Sequence, residues 1–490
     1  MIVIHDSEQP LIASGSYQVM PDSLTESHWH QDPTIRRNFR WALNWFYFTL
    51  GINLALPVLP TKMILMDELR CSPATMAFVM SWLNIPWSIK PLYGFISDSM
   101  PIRGYRRGPY LSLGLIINGL AWAMLWYVGA SLGFYNVFAW LFLSSLSLVI
   151  ADAAIDSLIV DTVQLESNSE LGELQSEVWI SRSLGSLLAA LFAGIAMDHL
   201  KMTSEGLFGI AAACAFSGLI AVQYVYEDKI DFRIYQRPRD IMRARFRDLL
   251  QFWSKDTIWK TCLFVLLFSA SPTSGDVIFY FMRNSLGFSL SFLGVLTIAG
   301  YASYIVGSWL YRDHLRDLPF RTLFKGTIWV AFFVGMTTVV LVRRWNLIVY
   351  VPDHAFVFGD TVFLAVCAQI AFMPIIVLAA KMAPKGAEGT IYNSVISVSN
   401  LGSVISEFSG GILTKMLGVR EDNFENLWKL VLICNLTTLL PLPFLRMLPE
   451  IRDLLKPERV VSTAPASEDD MDADNGNELE KKPTELTHLL

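Results

Sequence analysis

Residues 108–129 read GPYLSLGLIINGLAWAMLWYVG, a run without one charged side chain. As a helix rising 1.5 Å per residue, it is roughly 30 Å long, the thickness of a hydrocarbon core. Similar runs recur along most of the 490 residues. They account for a composition that is 53% hydrophobic, 13% aromatic and only 17% charged, with a mean hydropathy of +0.42. Soluble chains usually carry about a quarter charged residues. The balance excludes a soluble enzyme, a nucleic-acid binder and a disordered scaffold. What remains is an all-α polytopic membrane protein.

Outward from 108–129, the pattern predicts twelve spans. They cover 41–62, 74–98, 108–129, 134–161, 176–198, 205–226, 259–282, 289–311, 321–342, 356–380, 389–414 and 426–448. The longest connection, 227–258, separates a six-helix bundle at 41–226 from a second at 259–448. It is a basic cytosolic linker. The tails, 1–40 and 449–490, are polar, and the second is acidic. Both read as disordered. The first lacks the basic start of a secretory signal and the arginines of a transit peptide. The second ends in Glu485-Leu-Thr-His-Leu489-Leu490, the form of an acidic dileucine sorting signal. The five cysteines lie far apart, in no metal or disulfide spacing, and no cofactor is expected.

Orientation follows the Lys/Arg bias. Of the 38 basic residues, twenty-six fall on the side of the N-terminus, counting Arg321, Lys325 and Arg446 near span ends, eight on the opposite side, counting Lys62 at the end of span one, and four elsewhere within spans. Both termini are therefore expected in the cytosol, with the chain in the plasma membrane or an organelle membrane. The halves also echo each other. Ser183-Leu-Gly185-Ser186 and then Gly194 in span five are matched by Asn400-Leu-Gly402-Ser403 and then Gly411 in span eleven. Two parallel six-span repeats are the layout of the major facilitator fold, with substrate held between the halves near the midplane.

An ionisable side chain inside a span must pair, face water or act. Lys90 is placed roughly 12 Å above the inner end of span two. Asp152 and Asp156 share a face of span four. Asp156 and Arg182 fall at equal depth, roughly 10 Å in, on adjacent spans. The expectation is a network of two acids and two bases in which Asp156 pairs with Arg182. It either serves substrate and coupling ion or only closes the bundle. Asp161, near water on the other face, is expected to be structural.

In the second half, Pro272 breaks span seven beside Thr273, Ser274 and Asp276, with Phe279, Tyr280 and Phe281 following. A lone carboxylate beside aromatics could hold a flat, amide-bearing heterocycle. An interfacial aromatic belt is the competing reading. Glu407 has similar depth in span eleven, with Asn393 and Asn400 one to two turns below. Desolvation favours a neutral carboxyl group, which makes Asp276 or Glu407 a candidate proton carrier.

The loop Gly94-Phe-Ile-Ser-Asp98-Ser-Met-Pro-Ile-Arg103-Gly-Tyr-Arg106-Arg107 resembles the loop motif of the major facilitator superfamily, though with a longer gap before the basic pair. The resemblance implies a gating role for Asp98, Arg106 and Arg107, against a plain cytosolic anchor. Whole stretches are more specific. Lys90-Pro-Leu-Tyr-Gly-Phe-Ile-Ser-Asp98 leads to Gly104-Tyr-Arg-Arg-Gly-Pro-Tyr110, then Ala151-Asp-Ala-Ala-Ile-Asp156 and Leu174-Gln-Ser176. Asp276-Val-Ile-Phe-Tyr-Phe281, Leu286-Gly-Phe288, Phe292-Leu-Gly294, Ser397-Val-Ser-Asn-Leu-Gly402 and Ser406-Glu407 follow. Together they resemble the folate–biopterin transporter family across about 40–450. Arg283 departs from that pattern, since a neutral residue is expected before Asn284.

The resemblance implies secondary active transport of folate or a pterin, coupled to protons, by alternating access. Its partners would be that small molecule, the proton and membrane lipids, with no nucleic acid. The same fold could instead carry S-adenosylmethionine or another zwitterion. A receptor or scaffold without transport is the reading from another class. An enzyme is not expected, because no His/Glu metal set, nucleophile–base pair or P-loop occurs. The charge bias itself is testable. A cysteine introduced as Asp240→Cys should resist membrane-impermeant maleimide in sealed cells, and external labelling would reverse the orientation.

Overall fold

The computed structural model describes residues 33–163, 173–225, 227, 243, 247, 250, 253–315, 318–382 and 388–448. Residues 1–32 and 449–490, most of the 227–258 linker and the dileucine string lie outside them. The first half runs α1 (Pro33–Ala55), α2 (Val58–Met63), α3 (Pro73–Ser88), α4 (Lys90–Ser99), α5 (Gly108–Val128), α6 (Phe134–Val163), α7 (Glu173–Asp198) and α8 (Ser204–Val222). The second runs α9 (Asp256–Ser269), α10 (Gly275–Tyr280), α11 (Leu290–Leu310), α12 (Phe320–Val342), α13 (Asp353–Met382), α14 (Glu388–Met416) and α15 (Leu427–Thr437). Among the described residues, nine helical stretches are long and apolar enough to cross a membrane. The other predicted spans, second, seventh and eleventh, are helical but broken or polar. α3 and α4 part at Ile89, α9 and α10 part at 270–274, and α14 carries serines and asparagines along its length.

Two boundaries differ from expectation. α1 starts at Pro33, whose fixed φ and missing N–H suit a helix start. The first span also does not stop at 62. α2 runs into a π-helical turn, Ile64–Glu68, and reaches farther than hydropathy suggested.

That turn exposes the internal repeat. α10 likewise runs into a π-helical turn, Phe281–Ser285. Leu69 N–H donates to Ile64 O at 2.9 Å, and Leu286 N–H to Phe281 O at 3.0 Å. Cys71 N–H donates to Leu65 O at 2.8 Å, and Phe288 N–H to Met282 O at 3.1 Å. Arg70 and Gly287 both adopt positive φ, 49° and 67°, so Arg70 bears a strain that the glycine avoids. Ser72 and Ser289 then cap α3 and α11 by accepting from Thr75 and Phe292 N–H. The members of each pair stand 217 residues apart, as do Gly185 with Gly402 and Gly194 with Gly411.

Equivalent glycines do equivalent work. A Cβ on Gly185 would lie 2.1 Å from Phe48 O of α1, and one on Gly402 2.4 Å from Ser269 Cβ of α9. Each thus presses a helix onto its own half. A Cβ on Gly194 would lie 3.0 Å from Gly294 Cα of α11, and one on Gly411 2.9 Å from the Phe78 ring of α3. Each of these presses the same helix onto the other half.

The apolar cores show which side is closed. One cluster joins both halves on the side away from Pro33, including Met63, Met76 and Ala193 with Val277, Tyr280 and Leu293. On the Pro33 side, each half keeps a core of its own, one around Phe46 and Ile155, the other around Phe264 and Phe324. Among the described residues, the halves share an apolar core at one side only. Gly194→Leu should separate α7 from α11 there, since overpacking costs about 1–3 kcal/mol. The expected readout is faster maleimide labelling of Cys71, now 6% exposed in that seal. An unchanged rate would mean that Gly194 does not hold the side shut.

Candidate functional site

Two groups of polar side chains sit where the helices are broken. The first lies within the first half. The kink at Ile89 starts α4 at Lys90 and brings its ammonium to α6, 2.6 Å from Asp152 Oδ2 and also onto Asp156 Oδ2. Asp156 accepts a second hydrogen bond from Tyr47 Oη of α1. Asp152 is fully buried, whereas Asp156 and Lys90 keep side-chain exposures of 27% and 14%. The four predicted residues do converge, but with different partners. Arg182 does not pair with Asp156; its Nη1 is 3.7 Å from Asp152 Oδ1, and its guanidinium lies over the Trp179 ring, 5.1 Å from the centroid. Equal depth fixed the axial position of these groups, and the rotation of each helix selected the partner.

The second group crosses between halves. Asp276 is not a lone acid. Lys62 Nζ of α2 stands 2.8 Å from its Oδ1 and 4.9 Å from the Phe279 ring centroid. Tyr280 Oη donates to Cys71 O. Glu407 of α14 accepts from Asn84 Nδ2 of α3 at 3.1 and 3.0 Å, one contact to each carboxylate oxygen. Ser81 Oγ donates to Val404 O at 2.9 Å, and Asn400 Nδ2 to Trp87 O at 3.2 Å. Ser291 Oγ of α11 donates to Asp198 at the end of α7. Phe281 packs edge-on against Phe424. Asn393 is half-buried on the Pro33 side of α14, away from this group.

Among the gating residues, the side chain of Asp98 lies outside the described ones. Arg107 is buried and donates to Ser97 Oγ at 3.0 Å. The Arg106, Arg107 and Gly108 N–H groups all donate to the Glu227 carboxylate, at 2.6, 2.8 and 2.8 Å. An anion there completes the start of α5. Arg283 Nη1 donates to Phe288 O of its own loop at 3.1 Å.

Sequence reasoning missed Tyr47, Lys62, Asn84 and Glu227. The sequence pattern puts Lys62 at the end of span one, and the π-helical turn places it well inside the apolar helical stretch Pro33–Glu68. No signal marked Tyr47 or Asn84 among many similar residues.

Comparison with known proteins agrees with this architecture. Residues 50–465 match the BT1 family. A folate-biopterin transporter of Synechocystis sp. is 35% identical over 403 residues, covering 82% of this chain and 80% of that protein. The chain belongs to the BT1 family. A probable folate-biopterin transporter 2 of Arabidopsis thaliana is 29% identical, over 82% of this chain and 80% of its own length. A solved D-xylose-proton symporter superposes with a TM-score of 0.62 at 12% identity, covering 85% of this chain and 98% of that one. That likeness concerns the fold. BT1 membership and the recurring apolar helices make the chain an integral multi-pass membrane protein with the major facilitator architecture.

The Lys62–Asp276 pair should be separable from the rest. Neutralising one partner leaves a charge with little water, a loss of about 3 kcal/mol. Lys62→Met or Asp276→Leu alone should lower Tm, and the double variant should recover most of it. Full additivity of the two losses would show that the residues do not interact.

Proposed function

We propose that this protein is a secondary active transporter of folate or a pterin, coupled to protons and working by alternating access between the halves at 41–226 and 259–448. The observation that carries the reading is the one-sided seal: a shared core and cross-half bonds on one side, separate cores on the other. Such a molecule exposes a central path to one compartment at a time. The names of the BT1 relatives supply the substrate class, since fold alone does not give function.

In this reading, Lys90, Asp152, Asp156, Arg182, Asn393 and Asn400 line the path. Asp276, Phe279, Phe281 and Glu407 close it, and Asp98, Arg106 and Arg107 gate the other side. The Pro33 side faces the cytosol. Glu407 carries the proton. A protonated carboxyl becomes a donor at one oxygen, and one of its two contacts with the Asn84 amide is then lost. Asp276 is less suited, because Lys62 Nζ already occupies its Oδ1 at 2.8 Å. One co-transported proton offsets one anionic charge, worth about 2.3 kcal/mol per 100 mV.

Purified protein in vesicles should take up folate or biopterin, faster under an inward proton gradient. Glu407→Gln should retain exchange of substrate across the membrane and lose the response to the gradient. Equal uptake by empty vesicles would overturn the function, and an intact gradient response would remove Glu407 from coupling.

A further inference from the structure

We propose that Arg182 is the anion subsite of the central path, the group that pairs with a ligand carboxylate and sets the preference between carboxylate-bearing folates and uncharged pterins. The inference rests on the substrate class proposed above and assigns one of its chemical groups to one side chain.

Of the two cations in the first-half network, Lys90 is already committed. It contacts both Asp152 and Asp156, and an ammonium has three N–H donors in all. Arg182 is differently placed. At 3.7 Å, its contact with Asp152 is too long for a hydrogen bond, and Asp152 Oδ1 is a buried acceptor without one. A guanidinium carries five N–H donors. Among the described residues, those of Arg182 reach no protein acceptor within hydrogen-bond distance, and its guanidinium lies over the Trp179 ring. A cation–π contact of this kind uses none of the N–H donors in a hydrogen bond.

Helix geometry gives the direction of the side chain. At about 100° per residue, Arg182 lies about 120° from Gly194 and about 60° from Gly185 around α7. Gly194 faces α11 and Gly185 faces α1, so Arg182 points between them. Leu184, Leu188, Leu191 and Ile195 lie around the other side of α7 and are exposed, as a lipid-facing stripe should be. Arg182 therefore looks into the space between the halves. Across that space, the Tyr301 phenol of α11 is within electrostatic reach of the guanidinium, with the Tyr304 ring 6.1 Å from that of Tyr301.

A carboxylate entering from the open side would meet two parallel N–H donors, the bidentate arrangement that arginine favours. It would also compete with Asp152 for the same cation. Four charges that cancel among themselves then hold one anionic ligand group, with Tyr301 as a hydroxyl donor on the opposing half. A pterin ring without a carboxylate gains nothing from this contact. The subsite is thus a determinant of specificity.

The test compares folate and biopterin uptake in vesicles bearing wild-type protein, Arg182→Gln or Arg182→Lys. Arg182→Gln should lower folate uptake about tenfold to a hundredfold more than biopterin uptake, mainly through KM. Amidating both folate carboxylates should weaken its competition with biopterin on wild-type protein, and much less on Arg182→Gln. Should the Gln variant fail to fold, Arg182→Lys keeps the charge without the fork, and the folate-to-biopterin ratio should still fall severalfold. Equal losses for both ligands in the folded variants would overturn the subsite and leave Arg182 as a brace. Failure of the wild-type protein to move either ligand would overturn the substrate class instead.

Discussion

Two close helix crossings govern this molecule. α7 meets α11 where Gly194 faces Gly294, and α14 meets α3 where Gly411 faces Phe78 and Ala74. A membrane interior offers no hydrophobic force to press helices together, so packing at such small residues and polar contacts must do it. Both crossings occur on one side, and the hydrogen bonds between the halves follow them. Because the glycines sit at equivalent places in the two repeats, the seal has approximate two-fold character, although its polar groups do not. Lys62 with Asp276, and Asn84 with Glu407, are single contacts without counterparts. The repeat supplies the frame, and residues that differ between the repeats supply the chemistry.

The frame was legible in the sequence. Apolar runs such as 108–129 predicted most of the spans, and the equal Gly185–Gly194 and Gly402–Gly411 intervals predicted related halves that the hydrogen bonds of the two π-helical loops bear out. The site was only half legible. Depth along a helix follows from counting residues, so Lys90, Asp152, Asp156 and Arg182 were gathered correctly at one level. Which of them touch depends on helix rotation and on the break at Ile89, neither of which residue counting provides. Lys62 was lost for another reason. A π-helical turn continues a span through Asp67 and Glu68, residues that hydropathy assigns to a loop.

A transporter must hold charges in a place that disfavours them, and here the two groups solve that problem differently. The Lys90 cluster neutralises itself within one half, from α1, α4, α6 and α7. Its contacts survive any movement of one half against the other. A fully buried carboxylate such as Asp152 is tolerable under that condition, because Lys90, its nearest cation, belongs to the same half.

Contacts between the halves meet the opposite condition, since each must break and reform once per cycle. The cost of parting two charges rises steeply as water is excluded. A seal closed by a fully buried ion pair would stay shut. Lys62 and Asp276 keep side-chain exposures of 20% and 13%, so water can reach both as they separate. The remaining cross-half bonds are donated by hydroxyls and amides, worth about 1 kcal/mol each to a carbonyl and about 1.5–3 kcal/mol to the Glu407 and Asp198 carboxylates. A charge contact within a half can therefore include a fully buried member, as Asp152 is, whereas the Lys62–Asp276 pair between the halves keeps some exposure at both ends. That partition lets a strongly charged path coexist with a seal weak enough to open.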